Sequence, residues 1–125
     1  DHAPHTQEDK EADFDHAPFG MIGLETALGL AVTELVKTKI ISWNKLVELM
    51  SKRPAEIIGI ETKGEIREGN DADIVIVDPD KKWEFRKEDI VSKSKNSPFI
   101  GRKFIGSVEK TICGGKVVFN AEEKE

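Results

Sequence analysis

The sequence predicts an α/β protein in which helices come first and strands second, with one of the two units incomplete. The opening segment Asp1–His5 indicates a strand end that breaks into a loop, because Pro4 lacks a backbone donor and favours an extended residue before it. In α/β barrels, the loops at the strand ends carry the chemistry. The chain has 125 residues, whereas a complete barrel takes about 250. We therefore expect the terminal part of a larger enzyme.

Helices are predicted after a polar, glycine-rich opening loop. Leu24–Val36 carries apolar residues at helical spacing, which predicts an amphipathic helix. A second helix begins at Ser42, a favourable N-cap, and runs to Met50. Pro54 can open a third helix, which Gly59 ends. We expect the apolar face of the first helix, and the later apolar run Ile74–Val77, to stay partly exposed in this chain or to be covered by another chain.

Short strands are predicted in the second half of the chain. The four runs are Ile74–Val77, Lys82–Phe85, Val108–Cys113 and Lys116–Phe119. The first is expected to be buried because it is continuously apolar, and Gly114–Gly115 predicts a two-residue hairpin between the last two. Residues 86–106 are expected to form a long surface loop. The change from helices to strands divides the chain into predicted units 1–60 and 61–125.

Composition excludes several classes of function. The net charge is −5, and Lys and Arg are spread along the chain, so no basic patch favours nucleic acid. No apolar run approaches the roughly 20 residues of a membrane span. The single cysteine excludes an internal disulfide and fits a reducing compartment. We expect a cytoplasmic protein with no nucleic-acid or membrane partner.

Asp1 and His5 are the candidates for chemistry. A carboxylate at a strand end can contact a metal and take a proton from water. His5, beyond the rigid Pro4, can face the same cavity and bind an anionic group. The alternative is that both are ordinary polar loop residues, because a metal site needs three or four ligands and no H-x-H or C-x-x-C pattern accompanies them.

The segment Asp1–Thr6 resembles the signature loop of dihydroorotases, which are metal-dependent members of the amidohydrolase superfamily. Further segments resemble the same family in the same order: Ala17–Thr26, Ser51–Gly59, Gly64–Val75, Asn96–Gly101 and Gly114–Val117. The resemblance implies the C-terminal end of a metal-dependent (β/α)8 barrel of the amidohydrolase type. It also implies part of a small β-sandwich that both ends of the complete protein build.

The resemblance implies roles for four residues. Asp1 would contact the metal centre and shuttle the proton, and His5 would bind the carboxylate of the substrate. Phe19 and Gly20 would contact the substrate ring through their backbone groups. The reaction would be the reversible ring closure of N-carbamoyl-L-aspartate to dihydroorotate in pyrimidine biosynthesis. A binuclear zinc centre would take its other ligands from outside this chain, so we expect the chain alone to be inactive.

Two alternatives stay open. One is another cyclic amidohydrolase, such as a hydantoinase, dihydropyrimidinase or allantoinase, although a neutral ring has less use for His5. The other is a non-catalytic dihydroorotase-like partner of aspartate transcarbamoylase. The partners expected for the leading interpretation are the N-terminal part of the same protein and further copies in a homo-oligomer.

Overall fold

The computed structural model describes residues 1–124; the last residue of the predicted unit 61–125 lies outside the described residues. Its α-helices are α1 (Gln7–Glu11), α2 (Ala27–Ala31), α3 (Trp43–Val47) and α4 (Arg53–Ile57). Its strands are β1 (Ile74–Glu84), β2 (Lys103–Cys113) and β3 (Lys116–Asn120). Two π-helical segments, Val32–Val36 and Glu48–Lys52, and two 3₁₀ turns, Lys87–Asp89 and Ala121–Lys124, complete the elements. Over residues 1–124, no helix has the length and apolar character needed to cross a membrane.

Helix α1 lies within the opening segment that the sequence analysis treated as loop. Thr6 caps it: the Thr6 hydroxyl accepts from the Asp9 amide at 3.1 Å, and the Asp9 carboxylate accepts from the Thr6 amide at 3.3 Å. This reciprocal arrangement is a capping box. Hydrogen bonding to Thr6, first through its side chain and then its backbone, lowers the pKa of Asp9. The box directs Lys10, one residue later, back toward the loop.

The predicted first helix is present as α2 and its π-helical continuation to Val36. The side that packs on the sheet carries Gly29 and Val32, and both are buried. Leu24 precedes α2 and is 75% exposed. Leu28, Leu35 and Val36 are half-buried, so the expectation that the apolar face of this helix stays partly exposed is confirmed.

The next helices follow local capping signals. The Ser42 hydroxyl accepts from the Lys45 amide at 3.2 Å and begins α3 as predicted. The third predicted helix is present as α4 with Pro54 in its first turn, and it follows the π-helical segment after α3 without a break. The chain ends α4 at Gly59, which has φ +73°, and the amide of Ile60 donates to the carbonyl of Ala55 at 2.9 Å. This is a Schellman termination.

The three strands form one antiparallel sheet in the order β1-β2-β3. The predicted strands at 74–77 and 82–85 belong to one strand, β1, whose register with β2 shifts between Asp78 and Lys82. Asp78 accepts from the amides of Asp80 and Lys81, at 2.9 and 3.0 Å, and so closes the irregular stretch locally. The predicted hairpin between β2 and β3 is confirmed.

The predicted strand Ile74–Val77 is partly exposed: its apolar run indicated burial, whereas the expectation that it stays partly exposed in this chain is confirmed. Val75 is 55% exposed, because β1 is an edge strand and the α2 helix packs mainly against the central strand β2. The predicted loop at 86–106 is also shorter than expected, since β2 begins at Lys103. Phe104, near the start of β2, is 1% exposed.

The buried core joins the two halves of the chain. Its fully buried members are Ile22, Phe85, Ile90 and Phe104, and Leu30, Trp83 and Phe99 pack against them. The Trp83 indole donates to the carbonyl of Gly106 at 2.8 Å. The core therefore draws on residues from before and after position 60, and the predicted division 1–60 and 61–125 stays a prediction.

Candidate active site

Three segments that are distant in sequence converge beside α1. The amide of Ala3 donates to the carbonyl of Met21 at 2.8 Å, which joins the opening loop to the loop before α2. The amide of Ile22 donates to the carbonyl of Asn96 at 3.1 Å, and the amide of His5 donates to the Asn96 side chain at 3.3 Å. We call residues 1–6 the first loop and residues 18–23 the second loop.

The ring of His5 faces the second loop. Its Nε2 lies 2.8 Å from the carbonyl oxygen of Phe19. Because a carbonyl oxygen only accepts, Nε2 carries the hydrogen and donates. The neutral ring then has its lone pair on Nδ1, and protonation converts Nδ1 into a second donor. His5 can therefore hold the second loop and, when charged, donate to an anion.

Lys10 reinforces the same loop. Its ammonium group donates to the carbonyls of Pro18 at 2.8 Å and Gly20 at 3.2 Å. With the His5 contact, the carbonyls of three successive residues accept from side chains. Within residues 1–124, no hydrogen bond is described for the amides of Phe19 and Gly20. These two backbone donors remain available to a ligand.

Gly20 is required by its surroundings. Its φ is +105°, which side chains rarely allow, and a Cβ there would lie 2.5 Å from the Cβ of Ala3. Phe19 contributes its backbone to this region, because its ring is 95% exposed. Two of the predicted substrate contacts thus lie beside His5.

Asp1 approaches the second loop through its backbone. A Cβ on Gly23 would lie 2.1 Å from the carbonyl oxygen of Asp1, so only glycine permits this approach. The Gly23 amide donates to Nδ1 of His2 at 3.2 Å. The Asp1 carboxylate is exposed and accepts from the amide of His2 at 2.7 Å. Gly23 therefore sets the position of Asp1.

We expect Gly23→Ala to make amide hydrogen exchange in residues 1–6 about tenfold faster, because the new methyl group displaces the backbone of Asp1. The measurement is hydrogen–deuterium exchange of the purified protein. Ser51→Thr is the control, since it adds a methyl group at an exposed position. Equal exchange rates for the two variants would contradict the role of Gly23.

The converging loops border an open cavity of about 720 Å³. Asp1, Lys10, Gly20 and Asn96 are among the residues that line it. Three of the predicted site residues, Asp1, His5 and Gly20, thus lie in or beside one cavity, and the backbone of Phe19 adjoins them. Lys10 and Asn96 were not among the predicted site residues. The capping-box spacing of Thr6 and Asp9 could have indicated the helix that carries Lys10.

The described residues do not form a metal site on their own. Among residues 1–124, no group of three or more His, Cys, Asp and Glu side chains could hold a metal ion. A metal centre needs three or four ligands. Asp1 can supply one carboxylate at the cavity, and any further ligands would come from outside this chain.

Known proteins share both the sequence and the structure of this chain. A sequence profile of the Amidohydrolase family matches residues 8–118. The dihydroorotases of Endomicrobium trichonymphae and Clostridium acetobutylicum are 53% and 49% identical to it over 119 residues. Each alignment covers 95% of this chain and 28% of the relative. The chain thus spans little more than a quarter of the length of these relatives.

Similar solved structures come from enzymes that carry other names. The D-hydantoinase of Bacillus sp. AR9 matches with a TM-score of 0.87 and 32% identity. The dihydropyrimidinase of Brevibacillus agri NCHU1002 matches with a TM-score of 0.88 and 30% identity. Each match covers 95% of this chain and 27% of the other.

The family match spans most of the chain, and the solved structures reproduce its helices and sheet as one part of a larger molecule. The resemblance to dihydroorotases, inferred from the opening loop and the later segments, is confirmed by the relatives. The chain therefore belongs to the amidohydrolase family.

Proposed function

We propose that this chain is the C-terminal part of a dihydroorotase, a hydrolase that interconverts N-carbamoyl-L-aspartate and dihydroorotate in pyrimidine biosynthesis. It would supply the end of a (β/α)8 barrel and part of a small β-sandwich. Asp1 and Gly20 line one cavity, with His5 and the Phe19 backbone beside Gly20, and this grouping carries the proposal. The dihydroorotase relatives, at 53% and 49% identity, support it.

The site suits an anionic cyclic amide. Dihydroorotate carries a ring with amide groups and one carboxylate. His5, when charged, and Lys10 bring positive charge to the second loop. The amides of Phe19 and Gly20 can donate to a ring carbonyl, because neither donates a hydrogen bond within residues 1–124. The ring and the carboxylate would therefore be recognised by different groups.

Asp1 is the proposed base. In ring opening, water attacks the amide carbonyl, and the carboxylate of Asp1 accepts the proton that the water loses. The protonated acid then donates this proton to the ring nitrogen as the carbon–nitrogen bond breaks. General acid–base catalysis of this kind contributes about 10²- to 10⁴-fold. In ring closure the same steps run in reverse.

Members of this family are generally metal-dependent. We propose zinc, with Asp1 as one ligand and the remaining ligands outside this chain, because the described residues do not suffice. Inactivity of the 125-residue chain alone follows from the same shortage of ligands and stays a prediction. A cytoplasmic location, a homo-oligomer and an association with aspartate transcarbamoylase are further proposals that the relatives' function suggests.

A hydantoinase or dihydropyrimidinase is the second candidate. The observation in its favour is the match to solved structures of such enzymes at TM-scores of 0.87 and 0.88. Hydantoin and dihydrouracil, the rings after which such substrates are classed, carry no carboxylate at the position where dihydroorotate has one. The basic groups His5 and Lys10 at the second loop favour the first candidate.

The test compares substrates in the full-length protein that contains this chain. We expect dihydroorotate to be hydrolysed and dihydrouracil and hydantoin to be poor substrates. His5→Ala should lower kcat/KM for dihydroorotate by about 10- to 100-fold, mainly through KM, since a charged hydrogen bond to the substrate is lost.

His16→Ala is the matched control, because His16 is exposed and pairs with Asp13 in the loop beyond α1. It should leave kcat/KM within about twofold, as surface substitutions usually do. A wild-type preference for dihydrouracil or hydantoin would reject the proposed function. An unchanged KM in His5→Ala would reject the role of His5.

A further inference from the structure

We infer that Asn96 is a positioning residue that holds the first loop and the second loop in place relative to each other. The inference rests on the proposed function. It gives a role to a residue that is not one of the four predicted site residues. Asn96 lies in the long connection between β1 and β2, yet it reaches both loops at the cavity.

The side chain of Asn96 uses both of its ends. Its Nδ2 donates to the carbonyl of Ala3 at 2.9 Å and lies 3.4 Å from the carbonyl of Gly20. Its Oδ1 accepts from the amide of His5 at 3.3 Å. One planar carboxamide therefore bridges the first loop on both sides of Pro4 and ties it to the second loop.

The backbone of Asn96 adds a further link. Its carbonyl accepts from the amide of Ile22 at 3.1 Å, and Ile22 is a buried member of the core. The cavity-lining part of the second loop is thus attached to the core through the same residue that carries the bridging carboxamide. Displacement of Asn96 would move Gly20 and His5 together.

The connection that bears Asn96 is itself anchored. The carboxylate of Glu25, just before α2, accepts from the amides of Val91 at 3.0 Å and Ser92 at 3.1 Å. Lys95 donates to the carbonyl of Ile90, which is buried in the core. Asn96 is therefore presented from a fixed segment, which a positioning residue requires.

The chemistry of the bridge requires an amide. A carboxylate at this position would place negative charge against the carbonyl oxygens of Ala3 and Gly20, where Nδ2 now donates. It would still offer an acceptor to the amide of His5. Asn96→Asp therefore changes the donor end of the bridge while it keeps the size and the acceptor end.

The experiment uses the full-length protein that contains this chain. We expect Asn96→Asp and Asn96→Ala to raise KM for dihydroorotate by about tenfold or more, with a smaller change in kcat, because misplaced loops weaken substrate binding. Hydrogen–deuterium exchange should become faster in residues 1–6 and 18–23. Asn44→Asp, at an exposed position of α3, controls for the added charge and should change neither quantity.

Two results would overturn the inference, and a third would overturn the proposed function. Unchanged exchange in the two loops, in both Asn96 variants, would overturn the inference. Faster exchange with unchanged KM would also overturn it, since Asn96 would then be structural only. If the wild-type protein does not hydrolyse dihydroorotate, the proposed function fails, and the exchange experiment alone decides whether Asn96 holds the loops together.

Discussion

Asp1→Asn is expected to lower kcat of the full-length protein for dihydroorotate by about 10²- to 10⁴-fold, which is the usual contribution of a general base. A carboxamide cannot accept the proton that the attacking water loses. The substitution keeps Oδ1, which accepts from the amide of His2 at 2.7 Å, so the first loop should retain its conformation. The measurement is steady-state hydrolysis at saturating substrate, with the metal content determined on the same sample.

Asp15→Asn is the matched control for this loss of one negative charge. Asp15 is exposed in the loop between α1 and the second loop, and its replacement should leave kcat within about twofold. A kcat for Asp1→Asn within tenfold of wild type would remove Asp1 from the mechanism. A low kcat together with a lost metal would assign Asp1 to metal binding in place of proton transfer.

Local signals in the sequence predicted the helix boundaries best. The Ser42 hydroxyl caps α3, and Gly59 adopts the positive φ that ends α4. Both effects are local, so they could be inferred without knowing the rest of the structure. The turn-forming pair Asp78–Pro79 separates the predicted strands 74–77 and 82–85 in the sequence, but their separation into two strands was wrong. Pairing with β2 continues on both sides of that turn, and such pairing depends on residues far away in sequence.

The candidate site was predicted through a resemblance and completed by tertiary contacts. Asp1, His5, Phe19 and Gly20 lie in segments that resemble dihydroorotases, so their grouping could be expected. Asn96 also lies in such a segment, but its proposed role could not be predicted, because it lies 91 residues after His5 and acts through backbone groups of other segments. Hydrogen bonds to backbone leave little trace in the sequence of the residues that provide the acceptors.

The packing of the core was also not predictable from local patterns. The helical spacing of apolar residues in 24–36 predicted a helix, but the side of this helix that faces the sheet depends on how closely the helix and the sheet can approach each other. A Cβ on Gly29 would lie 2.9 Å from the ring of Trp83, and Gly106 faces Val32 as closely. Glycine at these two positions lets the helix lie against β2. A hydrophobicity scale gives glycine little weight, so the pattern of apolar residues did not indicate this contact.

Phe104→Ala is expected to have the largest effect on stability, about 3–5 kcal/mol in the free energy of unfolding, as for other buried phenylalanines. Phe104 is 1% exposed. Its ring centroid lies 5.1 Å from that of Trp83 and 6.4 Å from that of Phe99. The substitution removes contacts to both rings and leaves a cavity between the helix and the sheet. Urea denaturation of the full-length protein measures the change.

The matched control is Phe14→Ala, which removes the same ring from a loop where it is 95% exposed. It should change the free energy of unfolding by less than about 0.5 kcal/mol. The comparison separates burial from the loss of an aromatic residue as such. If Phe104→Ala also stayed within about 1 kcal/mol of wild type, the core would have to collapse around the missing ring or lie elsewhere. A large difference would instead show that this ring holds β2 against the helix, where it packs beside Gly29.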